Sequence, residues 1–112
     1  MPAREADTVR RLVFLNGKMA GKAVTLPDRG KVRLGRNESN DVVIHDKNSS
    51  RVHCQLLISS TETVLTDLNS ANGTLVNGVR IGQKLLANDD MITIGFTRIR
   101  YEQPDTLGAD AS

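Results

Sequence analysis

The sequence predicts an all-β protein, a two-sheet antiparallel β-sandwich of about eleven short strands whose functional loops gather at one end. Apolar and polar residues alternate in residues 91–94 and 97–101, as expected for strands with one buried face. Short apolar runs of this kind recur along the chain and are separated by turn-forming residues, which is typical of a sandwich or barrel. No window predicts a helix.

The strands follow one another at short intervals. We predict them at residues 11–15, 23–26, 31–34, 42–44, 52–58, 63–68, 74–76, 79–81, 84–86, 91–94 and 98–101. The Asn-Gly pairs at 16–17, 72–73 and 77–78 tolerate the positive φ angles that tight hairpin turns need. The pair at 77–78 lies between two apolar runs and is therefore the strongest local prediction of a hairpin.

The chain has 112 residues, which is enough for one domain. We expect a flexible N-terminal tail at residues 1–8, the sandwich domain at residues 9–102 and a flexible C-terminal tail at residues 103–112. Both ends are small, polar and charged, whereas the middle is not. Only 3% of the residues are aromatic and 38% are hydrophobic, so the core must consist mainly of Val, Leu and Ile.

Composition excludes several classes of protein. Cys54 is the only cysteine, so no intrachain disulfide forms, and we expect a cytoplasmic location. The N-terminus lacks the apolar core of a signal peptide, and no apolar run is long enough to span a membrane. The net charge of +2 is too small to indicate nucleic-acid binding, and the basic residues concentrated in residues 1–36 are expected to form a solvated edge.

Three clusters combine turn-forming residues with side chains that bind anions. They lie at residues 35–36 (Gly-Arg), 50–53 and 70–74, each between predicted strands. An arginine guanidinium presents a planar fork of donors that matches phosphate oxygens. A serine hydroxyl adds a small donor, and an asparagine amide both donates to and accepts from an extended backbone. The clusters therefore predict a site for a phosphate.

These clusters resemble the forkhead-associated domain. The residues that carry the resemblance are Gly35-Arg36, Ser50-Arg51-x-His53 and Asp67-Leu68-x-Ser70-x-Asn72-Gly73-Thr74-x-Val76-Asn77-Gly78. Their combination in this order is specific, and it covers about residues 11–102. The resemblance implies a two-sheet sandwich that binds phosphothreonine peptides through loops at one end and mediates phosphorylation-dependent protein–protein interaction in signalling. The implied partner is a phosphothreonine-containing protein or peptide, either a Ser/Thr kinase substrate or the kinase itself.

The resemblance assigns roles to ten residues. The residues expected to bind the phosphopeptide are Arg36, Ser50, Arg51, Ser70 and Asn72. The residues expected to support the binding loops are Gly35, His53, Gly73, Asn77 and Gly78. From the residues alone, simpler alternatives stay open. Arg36 could form a surface ion pair with Glu38 or Asp41, and the pair at 72–73 could merely turn the chain.

Three positions depart from the family pattern. Ser49 stands where the family usually has an apolar residue, so we expect looser packing of its loop. Asn69 stands where glycine is frequent, and because asparagine tolerates positive φ it need not distort the turn. Ala71 stands where many members have a threonine that contributes a hydroxyl, so we expect weakened binding without its loss.

Ser50, His53 and Asp67 suggest a hydrolase triad, which we reject. A nucleophilic serine needs a held turn, a base within bonding reach and an oxyanion hole, and the chain has no Gly-x-Ser-x-Gly elbow. We therefore predict that the protein is not an enzyme and uses no cofactor. His53 and Cys54 are neighbours on a predicted strand and zinc-type spacing is absent, so we predict no metal site.

One other class of function stays open, a phosphorylation-independent scaffold or oligomerisation domain that binds through sheet faces or edges. Such a scaffold needs none of Arg36, Ser50 and Asn72, so their joint presence argues against it. We expect neither nucleic acid nor a membrane as a partner. Thr8 in the N-terminal tail is a candidate for a residue that, once phosphorylated, folds back into the site and blocks it.

Overall fold

The computed structural model describes residues 9–104, which form eleven strands and one 3₁₀ turn. The strands are β1 (Arg10–Phe14), β2 (Ala23–Leu26), β3 (Gly30–Gly35), β4 (Val42–Val43), β5 (Cys54–Ile58), β6 (Thr63–Asp67), β7 (Thr74–Val76), β8 (Val79–Ile81), β9 (Gln83–Leu85), β10 (Met91–Ile94) and β11 (Thr97–Glu102). The 3₁₀ turn, Gly17–Met19, lies between β1 and β2. Most of the two predicted tails, including Thr8, lies outside the described residues.

The strands form two sheets, which confirms the predicted sandwich. The six-stranded sheet has the order β2-β1-β11-β10-β7-β8, and the five-stranded sheet has the order β4-β3-β5-β6-β9. In the described residues every strand pair is antiparallel except the short β3–β4 pair, which is parallel. Asp41 Oδ2 accepts a 2.9 Å hydrogen bond from the backbone N–H of Arg33. Arg33 and Asp41 directly precede the paired residues Leu34 and Val42, so this contact holds the start of β4 beside β3.

The core lies between the sheets and is mainly aliphatic, as the composition predicts. Inward and outward positions alternate along the strands, for example in β1 and β11, because successive side chains of a strand point to opposite faces. The fully buried side chains with the largest volumes are Tyr101, Phe14, Leu12, Leu34, Ile44, Leu56, Leu65, Ile92, Ile94 and Ile99, together with His53 and Val76. Burial of this apolar surface stabilises the sandwich.

Arg10 departs from the solvated basic edge that the charge pattern predicts. It is only 3% exposed, because it occupies an inward position of β1. Its guanidinium donates to the carbonyls of Ser59 at 2.6 Å and Glu62 at 3.1 Å, and to Thr63 Oγ1 at 2.9 Å. These bonds replace the water that the guanidinium loses on folding. Without them, burial of the charge would be costly.

The turns agree with the prediction at one Asn-Gly pair and differ at another. Asn77 and Gly78 have φ values of 54° and 84° and close the β7–β8 hairpin as predicted. Asn16 is extended, with φ −151°, and does not form a tight hairpin. Its side chain instead donates to the carbonyl of Phe96 at 3.0 Å and accepts from the N–H of Arg98 at 2.9 Å. The β1–β2 connection is therefore a longer loop that is held against the β10–β11 turn.

Candidate functional site

Three loops meet at one end of the sandwich. We call them the first loop (residues 36–41), the second loop (residues 44–53) and the third loop (residues 68–73). The backbone N–H of Arg36 donates to the carbonyl of Ser50 at 3.0 Å, which joins the first and second loops. The N–H of Leu68 donates to the carbonyl of His53 at 2.9 Å, which joins the second and third loops. The clusters predicted on separate segments therefore lie in one group of loops.

Arg36 begins the first loop, and its side chain is exposed. Its Nε donates to the carbonyl of Ser49 at 3.2 Å, which holds the guanidinium over the second loop. Within residues 9–104, Arg36 forms no salt bridge with Glu38 or Asp41, so the ion-pair alternative is not what the structure contains. The two terminal guanidinium nitrogens have no hydrogen-bond partner in this part of the chain, which leaves a pair of donors for a ligand.

Gly35 lies where the first and second loops pack backbone against backbone. A Cβ at this position would collide with the backbone oxygen of Arg51 and would lie 2.9 Å from Nδ2 of Asn40. Asn40 is buried, and its Nδ2 donates to the carbonyls of Asn37 at 2.7 Å and Arg51 at 2.6 Å. The close approach needs a residue without a side chain, and it sets the position from which Arg36 extends.

Ser49 is buried in the second loop and does not loosen it, which corrects the expectation drawn from its polarity. Its Oγ donates to the carbonyl of Asp46 at 2.6 Å, and its N–H donates to the same carbonyl at 2.9 Å. Hydrogen bonding therefore replaces the apolar packing of an aliphatic side chain. The carbonyl of Ser49 remains available and accepts the bond from Arg36.

Ser50 is half-buried between the second and third loops. Its Oγ accepts a 2.9 Å hydrogen bond from the backbone N–H of Ala71. This bond uses a lone pair of the hydroxyl and leaves its proton without an acceptor among the described residues. The side chain that joins the two loops thus keeps one donor for a ligand.

His53 is fully buried and directly precedes β5. The strand begins at Cys54, whereas the sequence predicted that it would begin at Val52. Its Nδ1 accepts from the backbone N–H of Ser50 at 2.9 Å, and its Nε2 lies 2.9 Å from the carbonyl of Gly73. Because an N–H only donates and a carbonyl only accepts, these partners select the neutral ring with the proton on Nε2. Both nitrogens are occupied by backbone groups, so His53 has no free nitrogen with which to activate the Ser50 hydroxyl.

Asp67 organises the third loop. Its Oδ1 accepts from Ser70 Oγ at 2.6 Å and from Thr74 Oγ1 at 2.7 Å, and its Oδ2 accepts from the N–H of Ser70 at 3.1 Å. Burial raises the pKa of Asp67, but the hydrogen bonds from Ser70 and Thr74 outweigh it and hold the pKa below its ordinary value. The carboxylate therefore stays charged and keeps the loop folded around it.

Ser70 lies inward, although the resemblance assigns it to the phosphopeptide. It is 7% exposed, and its hydroxyl donates to Asp67 while accepting from the N–H of Gly73 at 2.9 Å. The hydroxyl is thus engaged on both sides by the third loop and has no donor left for a ligand in this arrangement.

Asn72 is exposed at the tip of the third loop. Its Nδ2 donates to the carbonyl of Asn48 at 2.8 Å, and its Oδ1 has no partner in the described residues. The amide therefore joins two loops and still presents an acceptor and a second N–H to solvent. Gly73 has φ 85°, and Asn69 has φ 59°, which confirms that asparagine accommodates the positive φ at this turn.

The remaining predicted residues divide between the two ends of the sandwich. Arg51 is exposed in the second loop, and within residues 9–104 its side chain makes no hydrogen bond. Asn77 and Gly78 follow β7, whereas Gly73 precedes it, so they lie at the far end of that strand. This corrects the expectation that they support the binding loops. Asn77 instead ties the β7–β8 turn to the start of β10, where its Oδ1 accepts from the N–H of Met91 at 2.9 Å.

Sequence reasoning missed Asp46, which ties the second loop to the β10–β11 turn. Its Oδ2 accepts from the N–H of Phe96 and from Thr97 Oγ1, both at 2.8 Å, and its Oδ1 accepts from the N–H of Asn48 at 2.8 Å. Burial raises the pKa of Asp46, but these hydrogen bonds outweigh it and hold the pKa below its ordinary value. The local Asp-x-Asn spacing was the only visible signal, because Phe96 and Thr97 lie 50 and 51 residues away.

The unused groups of this surface are mainly donors. The carboxylates of Asp46 and Asp67 each already accept three hydrogen bonds, so neither is a free base. Burial raises the pKa of the Cys54 thiol to about 12, which keeps it protonated at neutral pH. In the described part of the chain no group of three His, Cys, Asp or Glu residues is placed to hold a metal ion. A guanidinium and a hydroxyl with free donors suit a tetrahedral oxyanion.

The sandwich and its three loops define a forkhead-associated domain. The family described as "Inner membrane component of T3SS, cytoplasmic domain", which is of this type, matches residues 13–105, and the chain belongs to it. Forkhead-associated domains are binding modules without enzymatic activity. Across residues 9–104 no helix has the length and hydropathy that crossing a membrane would require.

Two relatives of this chain are longer proteins, and each matches it over only part of its own length. The ABC transporter ATP-binding/permease protein Rv1747 of Mycobacterium tuberculosis is 42% identical over 79 residues, which are 70% of this chain and 9% of that protein. The glycogen accumulation regulator GarA of the same organism is 31% identical over 99 residues, 88% of this chain and 60% of that protein. The chain therefore spans less than two thirds of either relative.

A solved structure, from a study of phosphothreonine-dependent interactions of forkhead-associated domains, has the same fold. It superposes with a TM-score of 0.80 at 29% sequence identity. The superposition covers 86% of this chain and 97% of that one, so the likeness extends over nearly the whole of both domains.

Proposed function

We propose that this domain binds phosphothreonine-containing peptides and so mediates phosphorylation-dependent protein–protein interaction in signalling. The observation that carries the proposal is the joining of Arg36 and Ser50 through their loops, with donors on both side chains that no described residue uses. The phosphothreonine-dependent interactions of the similar solved domain support it. The partner is a substrate of a Ser/Thr kinase or the kinase itself.

Each side chain has a distinct role in this proposal. The terminal nitrogens of Arg36 hold two phosphate oxygens, and the hydroxyl of Ser50 donates to the phosphate as well. Arg51 adds positive charge beside a dianion that carries about −1.5 to −2 charges. The free Oδ1 and N–H of Asn72 hold the peptide backbone. The residues that position these groups without touching the ligand are Gly35, His53, Ser70 and Gly73.

The expected affinity follows from the number of charged contacts. A hydrogen bond to a charged group contributes about 1.5–3 kcal/mol, so three or four such bonds support a Kd near the micromolar range, or about −8 kcal/mol. The loops are already held together by hydrogen bonds, which lowers the entropic cost of ordering them around a ligand.

The proposal also includes the absence of catalysis and a cytoplasmic location. Both ring nitrogens of His53 are bonded to backbone, which supports a binding role rather than that of a general base. Cys54 is a buried free thiol, which suits a reducing compartment. A kinase-dependent signalling role suits the same compartment.

Calorimetric titration with phosphothreonine peptides selected from an oriented library tests the proposal. We expect Arg36→Ala to weaken binding by about 100-fold or more, because a bidentate charged contact is lost. The matched control is Arg33→Ala, which removes the same charge from an exposed position of β3 and should bind as the unaltered protein does. The unphosphorylated peptide should not bind.

Retained affinity in Arg36→Ala would overturn the proposal. Equal binding of a partner before and after phosphatase treatment would also overturn it and would favour the phosphorylation-independent scaffold.

A further inference from the structure

An apolar row crosses the outer face of the five-stranded sheet. It consists of Leu57 on β5, Val64 on β6 and Leu85 on β9, which stand opposite one another in the register of these strands. Their chain neighbours Leu56 and Leu65 are fully buried, so the row faces outward. Leu57 is 39% exposed, Leu85 is 54% exposed and Val64 is half-buried. Single exposed apolar side chains are normal, whereas contiguous ones mark interaction surfaces.

A concavity of about 250 Å³ lies in the same face, beside the row. The residues that line it are Gly30, Leu57, Ile58, Ser59, Glu62 and Val64. Gly30 contributes no side chain, and nothing lies within 4 Å of the position that a Cβ would occupy there. The face therefore offers a recess that an apolar side chain of a partner can enter.

Two opposite charges flank the row. Lys31 on β3 stands opposite Leu57, and Glu62 lines the concavity next to Leu57 and Val64. Both charged residues are exposed, and within residues 9–104 neither takes part in a salt bridge. The backbone of Glu62 is held by hydrogen bonds with Arg10 and Ser59, which fixes the turn that carries this carboxylate. The flanks of the row are therefore a cation and an anion, each available to a partner.

The charges and the row are arranged to match a second copy of the same face. In a two-fold symmetric contact, a residue that touches a different residue of the partner is touched by its own counterpart in return. Since β5 lies between β3 and β6, Lys31 and Glu62 lie on opposite sides of Leu57. A two-fold axis in the plane of the face exchanges Lys31 with Glu62. The same rotation brings Leu57 of one copy against Val64 of the other.

We infer that the outer face of the five-stranded sheet is a homodimer interface, in which the apolar rows of two copies pack together and Lys31 of each copy pairs with Glu62 of the other. β5 begins and β6 ends at the three loops, whereas Leu57 and Val64 lie toward the opposite ends of these strands. The dimer therefore leaves the loops of both copies open. This inference goes beyond the proposed function and does not depend on it.

The size of the contact makes the dimer weak. The row and Lys31 span four strands that lie about 4.8 Å apart, so together they cover roughly 15 Å. A standard specific interface buries about 800 Å² on each partner, which is more than a patch of this length supplies. The dimer therefore forms at high protein concentration and dissociates on dilution.

Sedimentation equilibrium of the whole chain between about 1 µM and 1 mM tests the inference. We expect monomers at the low end of this range, dimers at the high end and a Kd on the order of 100 µM. Leu57→Thr with Leu85→Thr should weaken dimerisation by about tenfold or more, because four apolar side chains leave each dimer contact. Threonine favours strands, so this double variant is chosen to keep the sheet.

The matched control is Val79→Thr. Val79 is 64% exposed and lies on β8, in the other sheet. The substitution removes exposed apolar surface away from the proposed interface, so this variant should dimerise as the unaltered protein does. Circular dichroism checks that every variant keeps its β-sheet content.

Charge reversal distinguishes this contact from any other dimer. Lys31→Glu or Glu62→Lys alone should weaken dimerisation by about threefold to tenfold, because either change replaces two ion pairs with two repulsive contacts. The double variant should regain the unaltered affinity, since the pairs form again with reversed sign. An equimolar mixture of the two single variants should also dimerise, because each copy supplies the charges that the other lacks. The loss in the single variants should shrink as salt concentration rises.

The inference is overturned if the unaltered protein stays monomeric up to about 1 mM. It is also overturned if the threonine double variant dimerises like the unaltered protein, or if neither the double charge reversal nor the mixture restores the affinity that the single variants lose. If the threonine variant does not fold, the charge reversals decide by themselves, because both positions are exposed. Titration with a phosphothreonine peptide tests the proposed function separately, since none of the substituted residues lies in the three loops.

Discussion

Nδ1 of His53 accepts a 2.9 Å hydrogen bond from the backbone N–H of Ser50, and the ring that makes this bond is fully buried. The other nitrogen of the ring bonds to the carbonyl of Gly73 in the third loop. One side chain that touches no ligand surface therefore fixes the distance between two loops that carry proposed ligand contacts.

Replacement of His53 by alanine should destabilise the domain by about 2–4 kcal/mol. The change leaves the N–H of Ser50 and the carbonyl of Gly73 unpaired and opens a cavity between the loops. Urea denaturation followed by circular dichroism measures the effect. His45→Ala, at an exposed position, is the control and should change stability by less than about 0.5 kcal/mol. Equal stability of the two variants would contradict the role assigned to His53.

Gly35→Ala should cost about 2–3 kcal/mol and also weaken phosphopeptide binding, because its Cβ has to displace the Arg51 backbone. Gly82→Ala is a matched control, since a Cβ there meets nothing within 4 Å. Thermal unfolding and peptide titration of both variants measure the two effects. A Gly35→Ala protein that folds and binds like Gly82→Ala would show that the first loop does not need the close approach.

The stability of the domain should fall on acidification through loss of the Asp67 and Asp46 carboxylates. Hydrogen bonds hold the pKa of each below its ordinary value of 3.8 in the folded state. A pKa that folding lowers contributes stability above the unfolded-state value, and this contribution disappears as pH falls through the folded-state value. Urea denaturation at a series of pH values from neutral to below 3.8 measures this loss of stability.

Asp67→Asn is the variant that isolates one of these groups. It should be less stable than the unaltered protein at neutral pH, and the difference should narrow as pH falls below the ordinary range of a carboxyl. If the difference in stability between the two proteins stays constant down to strongly acidic pH, the charge of Asp67 does not contribute to stability.

Ala71→Thr should increase affinity for a phosphothreonine peptide by about twofold to tenfold, which corresponds to one added hydrogen bond. Ala71 is exposed, and its N–H bonds to Ser50 Oγ, so a hydroxyl at this position lies beside the proposed phosphate contact. Calorimetric titration measures the change. Ala71→Val is the control, because it adds similar bulk without a donor, and an equal gain in both variants would argue against the hydrogen bond.

Much of the fold could be predicted because strands and turns depend on neighbouring residues. Alternation placed β10 and β11 within one residue at each end, and the positive φ of Asn77 and Gly78 followed from their residue types. The prediction for Asn16 was wrong because its partners, Phe96 and Arg98, lie 80 and 82 residues away. A local pattern carries no information about such contacts.

The sequence predicted the position of some residues of the candidate site correctly and that of others wrongly. Arg36, Ser50 and Asn72 lie at one end of the sandwich in joined loops, and their contact with a peptide stays a prediction. Ser70 was expected at the ligand but lies against Asp67, because its hydroxyl satisfies the carboxylate and the N–H of Gly73. A serine in a motif looks the same in either role, and only its hydrogen-bond partners distinguish them.

The sequence by itself determined the all-β class, most strand positions and the identity of the side chains proposed to bind an anion, since each depends on residue type and short-range spacing. Only the tertiary structure decided which way those side chains point and which of their donors remain free. Those properties depend on contacts between distant segments, such as Ala71 with Ser50 and Phe96 with Asp46. Backbone groups that lose water on folding must find partners wherever the packed chain supplies them, and those partners set the geometry of the loops.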